Sequence, residues 1–80
     1  MLLLAILLAL AQPRIISVAP SITEILFALG AGDQVVGVTT YCNFPEAAKA
    51  KPKIGGYITP SLEAILALRP DQVFMDLEVA

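Results

Sequence analysis

The sequence has 80 residues, which is enough for at most one domain, and 58% of them are hydrophobic whereas only 15% are charged. A net charge of −2 without any basic cluster argues against a nucleic-acid partner. Because the chain contains no histidine, it lacks the commonest metal ligand and general base, and its single cysteine, Cys42, cannot form an internal disulfide.

The chain begins with an apolar segment. Residues 2–11 have the length of a signal-peptide core and are too short to span a bilayer as a helix. The tripeptide Ala9-Leu10-Ala11 matches a signal-peptidase pattern, which would make Gln12 the first mature residue. We therefore predict a signal peptide at residues 1–11, and we expect its start to be clipped because no positive residue precedes the apolar run. The alternative is a buried core segment.

The next segment predicts a buried strand, a sharp turn and a capped helix. A short apolar run, which is typical of a strand covered on both faces, consists of Ile15, Ile16, Val18 and Ala19, and Pro20 ends it. Ser21 is predicted to cap the helix, because Glu24 three residues later would complete a capping box. Gly30 suits the left-handed position after a helix. The predicted buried face of this helix consists of Ile22, Ile25, Leu26 and Leu29.

A second strand is predicted after a connection of only a few residues. Residues 35–39 contain three valines and a threonine, all of them β-branched, and residues 40–45 form the loop at the carboxyl end of that strand. Residues 46–50 favour a helix but are too few to form a stable one alone. The segment around Ile54 is predicted to be a further loop, with a strand of one or two residues at most at Ile54.

A second helix and a last strand complete the predicted pattern. Thr59 or Ser61 can cap the helix, and Pro70 ends it. Residues 71–75 predict the strand that follows. The predicted buried face of the helix consists of Leu62, Ile65 and Leu66. Because strands alternate with helices, the sequence predicts an α/β fold in which helices flank a parallel sheet.

The loops of such a fold should meet at the carboxyl edge of its sheet, where ligands bind in open α/β sheets. The residues expected there are Pro20, Ser21, Tyr41, Cys42, Asn43, Gly55, Gly56 and Tyr57. They are small, aromatic or neutral, so they favour contact with a large and partly apolar ligand over proton transfer. The alternative is that Tyr41 and Tyr57 only cover the edge of the sheet.

No catalytic residue is predicted. Cys42 and Ser21 have no histidine base, so a buried or loop thiol and a helix cap account for them. The run Gly30-Ala31-Gly32-Asp33 follows a helix and precedes a strand, which is the reverse of a dinucleotide-binding motif. Glu63 lies in the first turn of the second helix, where it either stabilises the positive helix end or docks a partner.

Four stretches together resemble a known family, the substrate-binding proteins of ABC importers for cobalamin, siderophores and haem. The resemblance extends from Arg14 to Met75, and its specificity comes from the order and spacing of the stretches. They are RIISVAPSITEILFALGAG at residues 14–32, VVGVTTYCNFP at residues 35–45, KIGGY at residues 53–57 and LEAILALRPD at residues 62–71.

The resemblance implies two α/β lobes, joined by a long helix, that hold the ligand between them. We expect residues 12–80 to form an incomplete N-terminal lobe of this kind. The resemblance to cobalamin binders is the strongest, because Tyr41 and Tyr57 match aromatic positions that contact the corrinoid. Tyr57 stands where these binders often have tryptophan. Glu63 matches a surface glutamate that docks on arginines of the membrane permease.

The resemblance thus predicts a monomeric, extracytoplasmic substrate-binding component of an ABC importer. It would capture a corrinoid such as cobalamin and deliver it to the permease, without a cofactor or structural metal of its own. The ligand-binding residues would be Pro20, Ser21, Tyr41 and Tyr57, and Glu63 would dock the permease. One alternative is a ferric-siderophore or haem binder of the same family. Another is an α/β enzyme domain whose catalytic residues lie downstream.

Overall fold

A computed structural model describes Leu3, residues 12–56 and residues 58–75. Apart from Leu3, the predicted signal peptide at residues 1–11 lies outside the described residues, as does Tyr57. The strands and helices within them are Ile15–Ser17 (β1), Pro20–Ala28 (α1), Val35–Val38 (β2), Leu62–Ala67 (α2) and Gln72–Phe74 (β3). Two short 3₁₀ turns occur at Gly32–Gln34 and Glu46–Ala50.

The three strands form one parallel sheet in which β1 lies between β2 and β3. On the outer side of β2, Lys53 forms an isolated parallel bridge with Val38. The Val38 amide donates to the Pro52 carbonyl at 2.9 Å, and the Ile54 amide donates to the Val38 carbonyl at 2.8 Å. These bonds form a single bridge next to Ile54 and not a strand. The pairings of the three strands confirm the predicted α/β fold with a parallel sheet.

The hydrophobic core is divided in two by the sheet, because neighbouring side chains of β1 point to opposite faces. Ile15 packs in the cluster on the α1 face, and Ile16 packs in the cluster on the α2 face. The first cluster also contains Leu26, Val35, Val38 and Cys42. The second also contains Val18 and Ile54, with Ala64, Ile65 and Leu68 packed against it. This double burial explains why β1 carries an isoleucine on each of its two faces.

The prediction that Ser21 caps the first helix is wrong. The helix begins two residues earlier than a cap at Ser21 would require, with Pro20 at its first position and Ala19 as the N-cap, and no side chain caps it. Proline is favourable at this position because its fixed φ suits the helix and its missing N–H would have no intrahelical partner. Ser21 is therefore an exposed helical residue. Gly30 adopts φ +82° directly after the helix, as predicted.

Both predicted helix faces are partly wrong. In α1, Thr23 and Leu26 are the buried residues, whereas Ile25 and Leu29 are exposed. The helix is turned so that the Thr23 hydroxyl reaches buried polar partners, which the apolar periodicity does not reveal. In α2, the side chains of Ala64 and Ile65 pack on the sheet, together with that of Leu68 directly after the helix. Leu62 and Leu66 are exposed because, within the described residues, no further layer covers them.

Arg14 closes the fold at the amino-terminal edge of the sheet. Its guanidinium donates to the Leu68 carbonyl at 2.7 and 3.0 Å and to the Arg69 carbonyl at 3.3 Å. Its backbone N–H donates to the Asp71 carboxylate at 2.7 Å. These contacts satisfy carbonyl groups at the negative end of α2 and connect the helix to the first strand.

Candidate functional site

A cavity of about 430 Å³ opens at the carboxyl edge of the sheet. Its lining residues are Pro20, Tyr41, Gly56, Ile58 and Thr59. They come from three places: the start of α1, the loop after β2, and the loop that follows the bridge at Lys53. The topology therefore brings together segments that lie far apart in sequence, at the edge where parallel sheets bind ligands.

Tyr41 is the aromatic side chain of this lining, and 64% of its surface is exposed. It lies in a tight turn in which the Cys42 amide donates to the Thr39 carbonyl at 3.1 Å. Thr39 and Cys42, at the two ends of the turn, are completely buried. The exposed ring therefore stands on a turn whose ends are anchored in the core, and it is available for stacking or for a hydrogen bond through its hydroxyl.

The loop that carries the opposite wall of the cavity is closed by backbone hydrogen bonds. The Ser61 amide donates to the Ile54 carbonyl at 2.7 Å, and Gly55 forms an antiparallel bridge with Pro60. Gly55 has φ +107°, and a Cβ atom there would lie 3.1 Å from the Ser61 nitrogen. Glycine is required at this position because other residues rarely adopt that backbone conformation.

The structure brings together only some of the residues predicted for the site. Pro20 and Tyr41 line the same cavity, as expected. Ser21 is exposed beside Pro20 but does not line it, and Glu63 is exposed in the first turn of α2. Tyr57 lies outside the described residues. Cys42 was expected at the open edge, but its thiol is buried against Thr23 and Thr39.

Sequence reasoning missed two of the lining residues, Ile58 and Thr59. The usable signal was Ile58 itself, a large apolar residue in a loop rich in glycine and proline, with no periodic partner that would place it in a core. It also missed Thr40, whose backbone N–H and hydroxyl both donate to the Gly55 carbonyl, at 3.0 and 2.9 Å. No local pattern predicts this contact, because it joins two loops fifteen residues apart.

The described residues contain a further depression, but no cluster of metal ligands. A polar depression at the opposite edge of the sheet is lined in part by Arg14, Asp33 and Asp71. Within residues 12–56 and 58–75, no group of three or more acidic or cysteine side chains could hold a metal ion. None of the described helices has the length and apolar character needed to cross a membrane.

Comparison with known proteins identifies the family. A family model described as periplasmic binding protein matches residues 15–79. The chain belongs to this family. The chain is also similar to the vitamin B12-binding protein of Yersinia pestis, with 42% identity over 65 residues, which cover 81% of this chain and 23% of that protein. It therefore spans about a quarter of the length of the curated relatives it matches.

Solved structures of periplasmic binding proteins show the same fold. The haem-binding protein RhuT from Roseiflexus sp. RS-1, in apo form, aligns with TM-score 0.78 and 44% identity over 84% of this chain and 26% of that one. The vitamin B12-binding protein BtuF of Vibrio cholerae aligns with TM-score 0.71 and 41% identity over 76% of this chain and 24% of that one. These matches confirm the predicted resemblance and the partial binding-protein fold. The family consists of binding proteins, not enzymes, and its description places it in the periplasm.

Proposed function

We propose that the chain is part of an extracytoplasmic substrate-binding component of an ABC importer that captures a corrinoid such as cobalamin. In this proposal residues 12–80 belong to the N-terminal lobe of a two-lobed, monomeric protein, and residues 1–11 direct its export. The cavity at the carboxyl edge of the sheet is one wall of the ligand site. The observation that carries the proposal is the exposed Tyr41 ring at this cavity.

The shape and chemistry of the cavity support a large, partly apolar ligand. Its volume of about 430 Å³ lies within the range of small-molecule sites, but it is open, so it would cover only part of a corrinoid. Tyr41, Ile58 and Pro20 supply apolar contact surface. None of the lining side chains is charged, which suits a ligand recognised by packing and hydrogen bonds. The vitamin B12-binding relatives at 42% identity favour a corrinoid among such ligands.

Haem is the second candidate ligand, because Tyr41 could also ligate its iron. A tyrosine phenolate can ligate haem iron, and the exposed hydroxyl of Tyr41 is available at the cavity. The similarity to the haem-binding protein RhuT supports this alternative. The two ligands make different demands on Tyr41, because a corrinoid needs the ring whereas iron ligation needs the phenolic oxygen.

Calorimetry on the complete protein tests both ligands, with cyanocobalamin and ferric haem titrated separately into the wild type and two variants. If the ligand is a corrinoid, Tyr41→Phe should keep most of the affinity, and Tyr41→Ala should weaken binding by about tenfold. If the ligand is haem bound through the phenolate, Tyr41→Phe should change the absorption spectrum of the bound iron. If the wild type bound neither cyanocobalamin nor haem, the proposal would be refuted.

We also propose that Glu63 contacts a basic surface of the permease. Glu63 is exposed in the first turn of α2, and a rim charge mainly affects recognition and association rate. The variant Glu63→Gln should therefore bind ligand normally but deliver it more slowly to the transporter in reconstituted vesicles. Glu24→Gln, which removes an equal exposed charge from α1, is the matched control. Equal transport rates for the two variants would contradict this role.

A further inference from the structure

The turn from Thr39 to Cys42 is held from inside the protein by a cluster of buried polar groups. The Cys42 sulfur lies 3.2 Å from the Thr39 hydroxyl oxygen and 3.1 Å from that of Thr23. The Thr23 hydroxyl lies 2.8 Å from the Ser17 hydroxyl, which donates to the Ala19 carbonyl at 3.0 Å. Removing one partner of a buried hydrogen bond destabilises the folded protein. This cluster therefore fixes the turn relative to β1 and α1.

The same turn is held from outside by Thr40. Both the backbone N–H and the hydroxyl of Thr40 donate to one acceptor, the Gly55 carbonyl, at 3.0 and 2.9 Å. Gly55 directly precedes the segment that supplies Gly56, Ile58 and Thr59 to the cavity. Thr40 therefore connects the loop that carries Tyr41 to the loop that forms the facing wall.

We infer that Thr40 is a positioning residue of the ligand site, an inference that rests on the proposed binding function. The Thr40 hydroxyl is used by Gly55, so its effect on the ligand is indirect. It keeps Tyr41 and the facing loop at the separation required for binding before the ligand arrives. Such pre-organisation increases the fraction of molecules that are competent to bind and thereby raises the apparent affinity.

The test compares Thr40→Val with Thr40→Ser in the complete protein. Valine keeps the branched shape but removes the hydroxyl, whereas serine keeps the hydroxyl and serves as the matched control. With cyanocobalamin or haem as the probe, Thr40→Val should lower the association rate constant by about fivefold and leave the dissociation rate constant within about twofold. Thr40→Ser should keep the association rate constant of the wild type. A faster dissociation with unchanged association would instead indicate direct contact with the ligand and would overturn the inference.

A second measurement needs no ligand. Hydrogen exchange of the free protein, followed by mass spectrometry, should show faster exchange in residues 39–43 and 55–59 together for Thr40→Val, and wild-type exchange for Thr40→Ser. Unchanged exchange in either segment would refute the coupling of the two loops. If the wild type bound neither probe, the proposed function would fail, whereas the coupling would still stand or fall on the exchange data.

Discussion

Replacing Gly55 by alanine should distort the loop that forms one wall of the cavity. Gly55 has φ +107°, and an added Cβ atom would lie 3.1 Å from the Ser61 nitrogen and 3.4 Å from the Thr59 oxygen. Both are backbone atoms, and the Ser61 amide is already held by its 2.7 Å bond to the Ile54 carbonyl. The strain cannot be relieved by a side-chain rotation, so the loop itself has to move.

The size of the effect follows from two contributions. A non-glycine residue in such a sparsely populated conformation costs about 1–3 kcal/mol, and the close backbone contact adds to this. We expect Gly55→Ala to lower the free energy of unfolding by about 2–3 kcal/mol and to weaken ligand binding, because the wall of the cavity shifts.

Alanine variants at two other glycines separate the cost of the backbone conformation from the cost of the close contact. Gly30 has φ +82°, but a Cβ atom there would meet nothing within 4 Å, so Gly30→Ala should cost only about 1 kcal/mol of conformational strain. At Gly56 the nearest atom would be the Thr59 hydroxyl oxygen at 3.7 Å, an ordinary contact, so Gly56→Ala should change stability by less than about 0.5 kcal/mol.

Urea denaturation of the complete protein, followed by circular dichroism, measures all three variants under one set of conditions. The expected order of destabilisation is Gly55→Ala, then Gly30→Ala, then Gly56→Ala. A Gly55→Ala variant as stable as Gly56→Ala would refute the reasoning from backbone conformation and contact distance.

Two further predictions concern the core. An added Cβ atom at Gly37 would lie 2.7 Å from a methyl carbon of Leu68 and 3.1 Å from one of Ile54, so Gly37→Ala should force these side chains to repack and cost about 1–3 kcal/mol, measured by urea denaturation. Wild-type stability would show that the core adapts without cost. Thr23→Val removes the hydroxyl that lies 2.8 Å from Ser17 and 3.1 Å from Cys42, and it should cost about 1–3 kcal/mol in the same assay. A free energy of unfolding equal to or above that of the wild type would contradict a stabilising role for this cluster.

The order of strands and helices was predictable because it depends on local signals. Short runs rich in isoleucine and valine marked β1 and β2. Ser61, one of the two predicted caps, caps α2 by accepting a bond from the Ala64 amide at 3.2 Å. Gly30 follows α1 in the left-handed conformation that glycine favours after a helix, which is also a local signal. Such features require only residues within one or two turns of each other.

The rotation of the helices and half of the site were not predictable, because they depend on contacts between distant segments. Thr23 faces the core on account of Ser17 and Cys42, whereas apolar periodicity had assigned the buried face to its neighbours. Thr40 joins Gly55 through two bonds to one carbonyl, and threonine at an exposed loop position carries no signal of such a partner. Tyr41, by contrast, could be placed at the cavity from its position in the loop after β2.

The order of the sheet also has a consequence for the time course of folding. The central strand β1 comes first in the sequence, but one of its two neighbours, β3, follows only after a long stretch of chain, as the bond between Arg14 and Asp71 across 57 positions shows. Until that stretch has been synthesised, β1 has one unpaired edge. Contacts this distant in sequence slow folding, and an open apolar edge can pair with other chains. The newly made chain is therefore most prone to aggregate before β3 has paired with β1.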